Sequence, residues 1–84
     1  MTQSLGEALP EAIAKVSEWI GQQEAQAKEM DEMGPGLGDG NRFMANVLKV
    51  KRDVAVAAMQ SGDVIAMIAA YEQLKPALDL AAAE

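Results

Sequence analysis

Apolar residues recur at helical spacing in three segments of the chain. Members of the first seam follow one another at alternating steps of four and three: Leu9, Ile13, Val16, Ile20, Gln23, Ala27 and Met30. This heptad-like pattern predicts a long helix A over residues 9–33, after a short lead-in. Ser4 and Glu7 have the spacing of a capping box, and Pro10 suits the first turn of such a helix.

A second apolar seam follows a glycine-rich segment. It consists of Phe43, Val47, Val50, Val54 and Ala57, and it is widened by Met44, Leu48, Ala55 and Ala58. Valine-rich segments also suit strands, but the steps of four and three and the many alanines favour a helix. We therefore predict helix B over residues 41–60, with a broad apolar face.

The segment "QSGD", residues 60–63, ends one helix and starts the next. Gly62 suits the left-handed conformation that terminates a helix, and Asp63 suits an N-cap. The third stripe consists of Val64, Met67, Ile68, Tyr71, Leu74 and Leu78. It predicts helix C over residues 63–75. Pro76 lacks a backbone donor, so we expect it to end or kink this helix and to leave residues 76–84 as a short helix or a frayed tail.

These segments predict one all-α domain over residues 1–84, in which helices A and B form a long antiparallel hairpin and helix C is shorter. A chain of 84 residues buries a modest share of its surface. Only Trp19, Phe43 and Tyr71 are aromatic, and many apolar residues are alanine. We therefore expect the core to be completed by a homodimer or by another protein.

Charge is distributed unevenly between the helices. The net charge is −6, which disfavours nucleic acid and membranes as partners. Helix A is acidic and helix B carries Arg42, Lys49, Lys51 and Arg52, so an antiparallel hairpin would pair the two. No segment is apolar enough for a membrane span, and the N-terminus lacks the pattern of a secretory signal. We expect a soluble protein, with the cytoplasm as its compartment.

Few side chains are available for chemistry. The chain has no cysteine and no histidine, which removes thiolate metal sites, disulfides and a Cys–His or Ser–His pair. Glu29, Asp31 and Glu32 form the densest acidic cluster, but they precede an exposed loop and are interpreted as solvated surface. We predict no enzyme activity, no catalytic, metal or cofactor-binding residues, and no small-molecule substrate.

The glycine-rich loop, residues 34–40, raises the question of a ligand. The spacing G-x-G-x-x-G places its third glycine at Asp39 or Asn41, and no Lys–Ser or Lys–Thr pair follows. A calcium loop starting at Asp39 would need a glutamate at position 50, which is Val50. We interpret the loop as a helix–helix connection in which Asp39 or Asn41 caps helix B. A mobile binding element is the alternative.

Several side chains are candidates for contacts with a partner. Trp19 has a polar surround, so it is either a core residue or an interface anchor. The methionines near the loop either fill gaps or form an adaptable surface. The predicted partner-binding residues are Trp19, Ile20, Met30, Met33, Phe43 and Met44. Gln23 within an apolar seam either fixes register or marks an exposed second half of helix A.

The sequence predicts a non-enzymatic protein–protein interaction module, such as an adaptor, chaperone or inhibitor, that docks through an apolar helix face. The alternatives are a self-assembling filament or needle subunit and an acidic decoy for a basic nucleic-acid-binding surface. The segment "GDVIAMIAAYEQL", residues 62–74, resembles small subunits and chaperones of bacterial type III secretion, and small phage inhibitors share this build. "QSGD" lacks the turn proline of needle subunits, and no residue role is carried over.

Overall fold

Three α-helices form the protein, as the sequence predicts. The computed structural model describes residues 4–83, with side chains described through Ala81. The helices are α1 (Leu5–Met33), α2 (Asp39–Ser61) and α3 (Val64–Ala83). The molecule is elongated, measuring 45 × 26 × 15 Å, because α1 alone is 29 residues long and a helix rises about 1.5 Å per residue.

Helix α1 begins four residues earlier than the predicted helix A. Ser4 is the N-cap residue, and its carbonyl accepts hydrogen bonds from the N–H groups of Glu7 and Ala8. Its side chain makes no capping bond, so the predicted capping box does not form. Pro10 consequently lies inside the helix rather than at its start.

Helices α1 and α2 form the predicted antiparallel hairpin. Lys49 of α2 binds Glu24 of α1 at 3.1 Å, and Arg42, one heptad earlier, binds Asp31, one heptad later. These two pairs confirm that the basic helix lies beside the acidic one. Arg52 instead pairs within α2, with Asp53. Because the paired side chains are partly exposed, the bridges specify register more than they add stability.

The core is built from a few large side chains and many alanines. Leu9, Val16, Leu48 and Leu74 are its largest fully buried members. Half of the twelve residues in the buried cluster are alanines, namely Ala12, Ala45, Ala55, Ala58, Ala70 and Ala77. Small side chains let helix backbones approach closely, but each buries little apolar area. Stability therefore depends strongly on the few large residues.

Gln23 is buried within the α1 seam and joins the two long helices. Its Oε1 accepts a hydrogen bond of 2.8 Å from Nδ2 of Asn41, which also donates to Gln26 Oε1 at 3.2 Å. The second half of α1 is thus covered by the start of α2, with Ala27 buried as well. A polar pair at this position favours one alignment of the hairpin, because sliding the helices would leave a buried amide without its partner.

The turn into α3 forms as predicted, whereas the effect of Pro76 differs. Gly62 adopts φ +71°, and Asp63 Oδ1 accepts hydrogen bonds from Ile65 N–H and Ala66 N–H at 3.0 and 3.3 Å. The helix continues through Pro76 to Ala83 instead of ending near residue 75. Leu74 and Ala77 are buried on either side of the proline, so packing maintains the helix where one backbone hydrogen bond is missing. Glu84 lies outside the described residues.

Candidate interaction surface

The six predicted contact residues do not share one surface. Trp19 and Ile20 are buried, with 5% and 3% of their surfaces exposed. Met30 and Met44 are half-buried near the loop. Met33 and Phe43 are 72% and 70% exposed. Trp19 and Ile20 thus stabilise the fold, and the residues of this set that remain accessible lie at the loop end of the hairpin.

The larger apolar surface lies along α2. Three of the residues that widen the predicted seam turn inward: Leu48, Ala55 and Ala58 are buried, as is Ala45, and Met44 is half-buried. The seam itself points mostly outward, with Val47 half-buried. We call Phe43, Val47, Val50, Val54 and Ala57 the α2 stripe. Val50 and Val54 are 64% and 55% exposed, although valine in a core would be fully covered. Helix α2 therefore carries two apolar faces, and its neighbours cover only the one rich in alanine.

A second apolar group follows the turn at Gly62. Val64, Ile65 and Ile68, which we call the α3 patch, lie in the first two turns of α3. Ile65 is the most exposed large apolar residue of the described chain, at 79%. The α3 patch begins just after the C-terminal end of α2, whereas Phe43, at the other end of the α2 stripe, lies beside the loop. Val64 and Ile68 belong to the stripe predicted for helix C, and they are 59% and 46% exposed.

Apolar exposure of this kind distinguishes the surface from ordinary solvent-facing helix. Six large apolar side chains of the α2 stripe and the α3 patch are between 46% and 79% exposed, namely Phe43, Val50, Val54, Val64, Ile65 and Ile68. Single exposed valines are common and need no explanation. Five apolar residues at heptad spacing along 15 positions of one helix instead have the pattern by which helices pack against other helices.

The glycine-rich loop is tightly attached to α1. Asp31, in the last turns of α1, accepts a 3.0 Å hydrogen bond from Gly38 N–H and pairs with the guanidinium of Arg42. Neither Asp39 nor Asn41 caps α2; Gly38 is the N-cap residue and makes no side-chain bond of its own. The loop is thus a helix–helix connection that Asp31 of α1 joins to the start of α2 through Gly38 and Arg42.

The contacts of Asp31 with Arg42 and Gly38 hold its pKa below the ordinary value of an aspartate. The hydrogen bonds from Arg42 and then from Gly38 N–H lower the pKa of Asp31, because both stabilise the charged form. In return, Asp31 and Asp39 raise the pKa of Arg42 above its already high value. Arg42 stays charged at every accessible pH, so the pair is broken only by acid.

The Asp31 contact gives a pH-dependent stability. In the Asp31→Asn variant, we expect the free energy of unfolding to fall at pH 7, because the amide loses the ion pair. A carboxyl whose pKa is lower in the folded state stabilises the fold at any pH above its unfolded pKa of about 3.9. This contribution to the free energy of unfolding is lost as the pH falls through the folded pKa. The difference between wild type and variant should therefore shrink as the pH falls below about 3.9, as measured by urea unfolding followed through Trp19 fluorescence.

The neighbouring Glu32, which is exposed, supplies the control. Glu32→Gln removes the same charge without touching the loop, and we expect a smaller loss of stability at pH 7. An equal loss in the two variants would mean that net charge rather than the Gly38 and Arg42 contacts explains the effect. A loss in Asp31→Asn that persists unchanged at pH 3 would equally contradict the assignment.

A groove of about 520 Å³ lies between α1 and the end of α3. Its walls are Lys15, Glu18, Trp19, Gln22, Leu78, Asp79 and Ala81. Only an edge of the indole reaches it, because Trp19 is almost fully buried. The charged walls carry one lysine and two carboxylates, and Lys15 already pairs with Glu11 at 3.2 Å. The side chains that line this groove therefore do not point to a particular class of ligand.

Metal-binding groups and membrane-spanning helices are two other features that would point to a function. Within residues 4–83, no three carboxylates are grouped so that they could hold a metal ion. None of the three described helices combines the length and the apolar run needed to cross a membrane. Comparison of the chain with protein families, with curated proteins and with solved structures found no match. The candidate site is therefore defined by the geometry of the α2 stripe.

Proposed function

We propose that this protein is a non-enzymatic interaction module that docks another polypeptide helix against the α2 stripe. The observation that supports the proposal is the outward direction of Phe43, Val50 and Val54 on a helix whose opposite face already packs in the core. A surface helix normally has one apolar face. A second apolar face with heptad spacing would be stabilised if another helix covered it, because burying apolar surface contributes about 25 cal/mol of favourable free energy per Å².

The charges beside the stripe favour an apolar partner segment over a strongly charged one. Lys49 and Arg42 lie on α2, but their charges are paired with Glu24 and Asp31 of α1. The stripe itself contains no charged residue. Affinity would thus come from side-chain packing, and the surrounding ion pairs would restrict how the partner approaches.

Matched surface variants test this function. Tagged wild type, Val54→Lys and Ala25→Lys are used to capture proteins from the native host, and the captured proteins are identified by mass spectrometry. Ala25 is exposed on α1, and lysine is a good helix former at both positions. We expect specific partners with wild type and with Ala25→Lys, and their loss with Val54→Lys. The same proteins captured by all three would refute docking through the stripe.

The acidic decoy remains a second candidate because of α1. This helix carries seven carboxylates against two lysines, a net charge of −5. A basic partner would bind that face, and its affinity would fall steeply with salt. Capture through the α2 stripe instead persists at high salt, so repeating the experiment at about 0.5 M salt, where the Debye length is only a few Å, separates the two functions.

A further inference from the structure

Resting on the proposed function, we infer that the helix covering the α2 stripe is α2 of a second copy of this chain, in a closed symmetric dimer that also buries the α3 patch. Three properties of the described residues support this occupant independently: the spacing of the stripe, the distribution of charge and the available area.

The stripe is suited to pair with itself. Its members are one phenylalanine, three valines and one alanine, spaced at steps of four and three. Helices with this spacing pack side chain into hole along a shared seam. Val50 is the middle member of the stripe. In a two-fold arrangement of two α2 helices, the two copies of Val50 therefore lie near the symmetry axis.

Charge opposes contact through α2 less than contact through the acidic α1, because Arg42, Lys49 and Arg52 of α2 are already paired with carboxylates. The whole chain has a net charge of −6, so two copies repel each other at most orientations. Helix α2 carries Arg42, Lys49, Lys51 and Arg52 against two carboxylates, a net charge of +2. Contact through α2 keeps the acidic α1 helices, each at −5, on the outside and far apart, which reduces the repulsion.

The area is also suited to a dimer. A standard stable interface buries about 800 Å² on each partner. The α2 stripe with the α3 patch supplies six large apolar side chains that are each at least 46% exposed, and the polar residues beside them would add to the buried area. A second copy also supplies apolar area to a chain whose own core is half alanine.

Single-cysteine variants test the arrangement, because the chain has no cysteine of its own. We expect mild oxidation of purified Val50→Cys to give a disulfide-linked pair in high yield, since the two thiols lie near the two-fold axis. Ala25→Cys, exposed on α1, is the matched control and should remain a single chain under the same conditions. Equal cross-linking of both variants would reflect random collision and would overturn the inference.

Sedimentation equilibrium of the unmodified protein supplies the second measurement. We expect a mass of twice 8.9 kDa for wild type, and dimerisation at least about tenfold weaker for Val50→Lys. This substitution makes the chain less acidic, so a weaker dimer cannot be attributed to greater overall repulsion. Ala25→Lys should dimerise as wild type does, and circular dichroism should show equal helix content in all three.

The remaining outcomes also decide the question. A wild-type chain that stays single at high concentration, a dimer that survives Val50→Lys, or a mass that grows without limit would each overturn the closed α2 pair. Stripe-dependent capture judges the proposed function separately: recovery of only a second copy of this chain supports both proposals, whereas recovery of a different protein in its place supports docking and overturns the α2 pair. A monomer that still loses its partners on Val54→Lys would refute the dimer and leave the docking function intact.

Discussion

Replacing Trp19 with alanine should lower the free energy of unfolding by about 3–5 kcal/mol, the usual cost of deleting a large aromatic side chain from a core. Trp19 is 5% exposed and belongs to the cluster that includes Leu9, Val16 and Leu74. Half of the same cluster is alanine, so few neighbouring side chains are large enough to fill the cavity. Small domains have about 5–15 kcal/mol of stability, and the variant should be largely unfolded at moderate temperature.

Urea denaturation followed by circular dichroism measures the effect, since the variant loses the only tryptophan. Protein concentration is held constant, because self-association would add to the apparent stability. Trp19→Phe keeps much of the ring volume and should cost clearly less. If Trp19→Ala retained its stability within about 1 kcal/mol, a typical value for an unremarkable substitution, the indole would belong to a surface rather than to the core.

The Gly38→Ala substitution adds one methyl group and should lower the free energy of unfolding by roughly 3 kcal/mol, the cost of severe overpacking. A Cβ at this position would lie 2.2 Å from the carbonyl oxygen of Ala27 and 2.8 Å from its Cα. Both are backbone atoms of α1, so no side chain can rotate to make space. The backbone φ of Gly38 is −85°, which any residue can adopt. Position 38 therefore requires glycine only because α1 and the start of α2 are in close contact.

Gly40 provides a control two residues along the chain. It lies in the first turn of α2, and a Cβ there would have no atom within 4 Å. Gly40→Ala should raise the free energy of unfolding by about 0.5–1 kcal/mol, because alanine loses less backbone entropy in a helix. The same chemical change is therefore expected to have opposite signs at the two positions. Thermal denaturation of both variants checks this, and a neutral Gly38→Ala would show that the helices are further apart.

Local signals in the sequence predicted the helices well. The seam of helix A, the turn at Gly62 and the cap at Asp63 depend on residues within a few positions of one another, and the structure confirms each. The predicted start of helix A at residue 9 and the predicted end of helix C near residue 75 were wrong, whereas the alternative that the chain stays helical after Pro76 agrees with α3 as far as Ala83. Both differences arise because helices continue wherever their next turn packs against a neighbour, and Leu74 and Ala77 are buried on α3.

The candidate site was harder to predict than the fold. Phe43 and Met33 were named as contacts and are exposed, but Trp19 and Ile20 are buried. Val50 and Val54 were assigned to the broad apolar face of helix B without a choice between its two stripes. Hydrophobicity alone favours burial of the valines. The structure buries the alanines instead, because a small face lets α2 approach the large side chains of α1 closely.

By itself, the sequence determined the number of helices, the positions of the turns, the antiparallel hairpin and the acidic and basic character of its two sides. These follow from periodicity, caps and charge, which act over short distances along the chain. Only the tertiary structure decided which face of α2 is covered, that Gln23 bonds to Asn41, and that Asp31 rather than Asp39 holds the loop. Such choices depend on the distance and shape of groups far apart in sequence, and no local pattern encodes them.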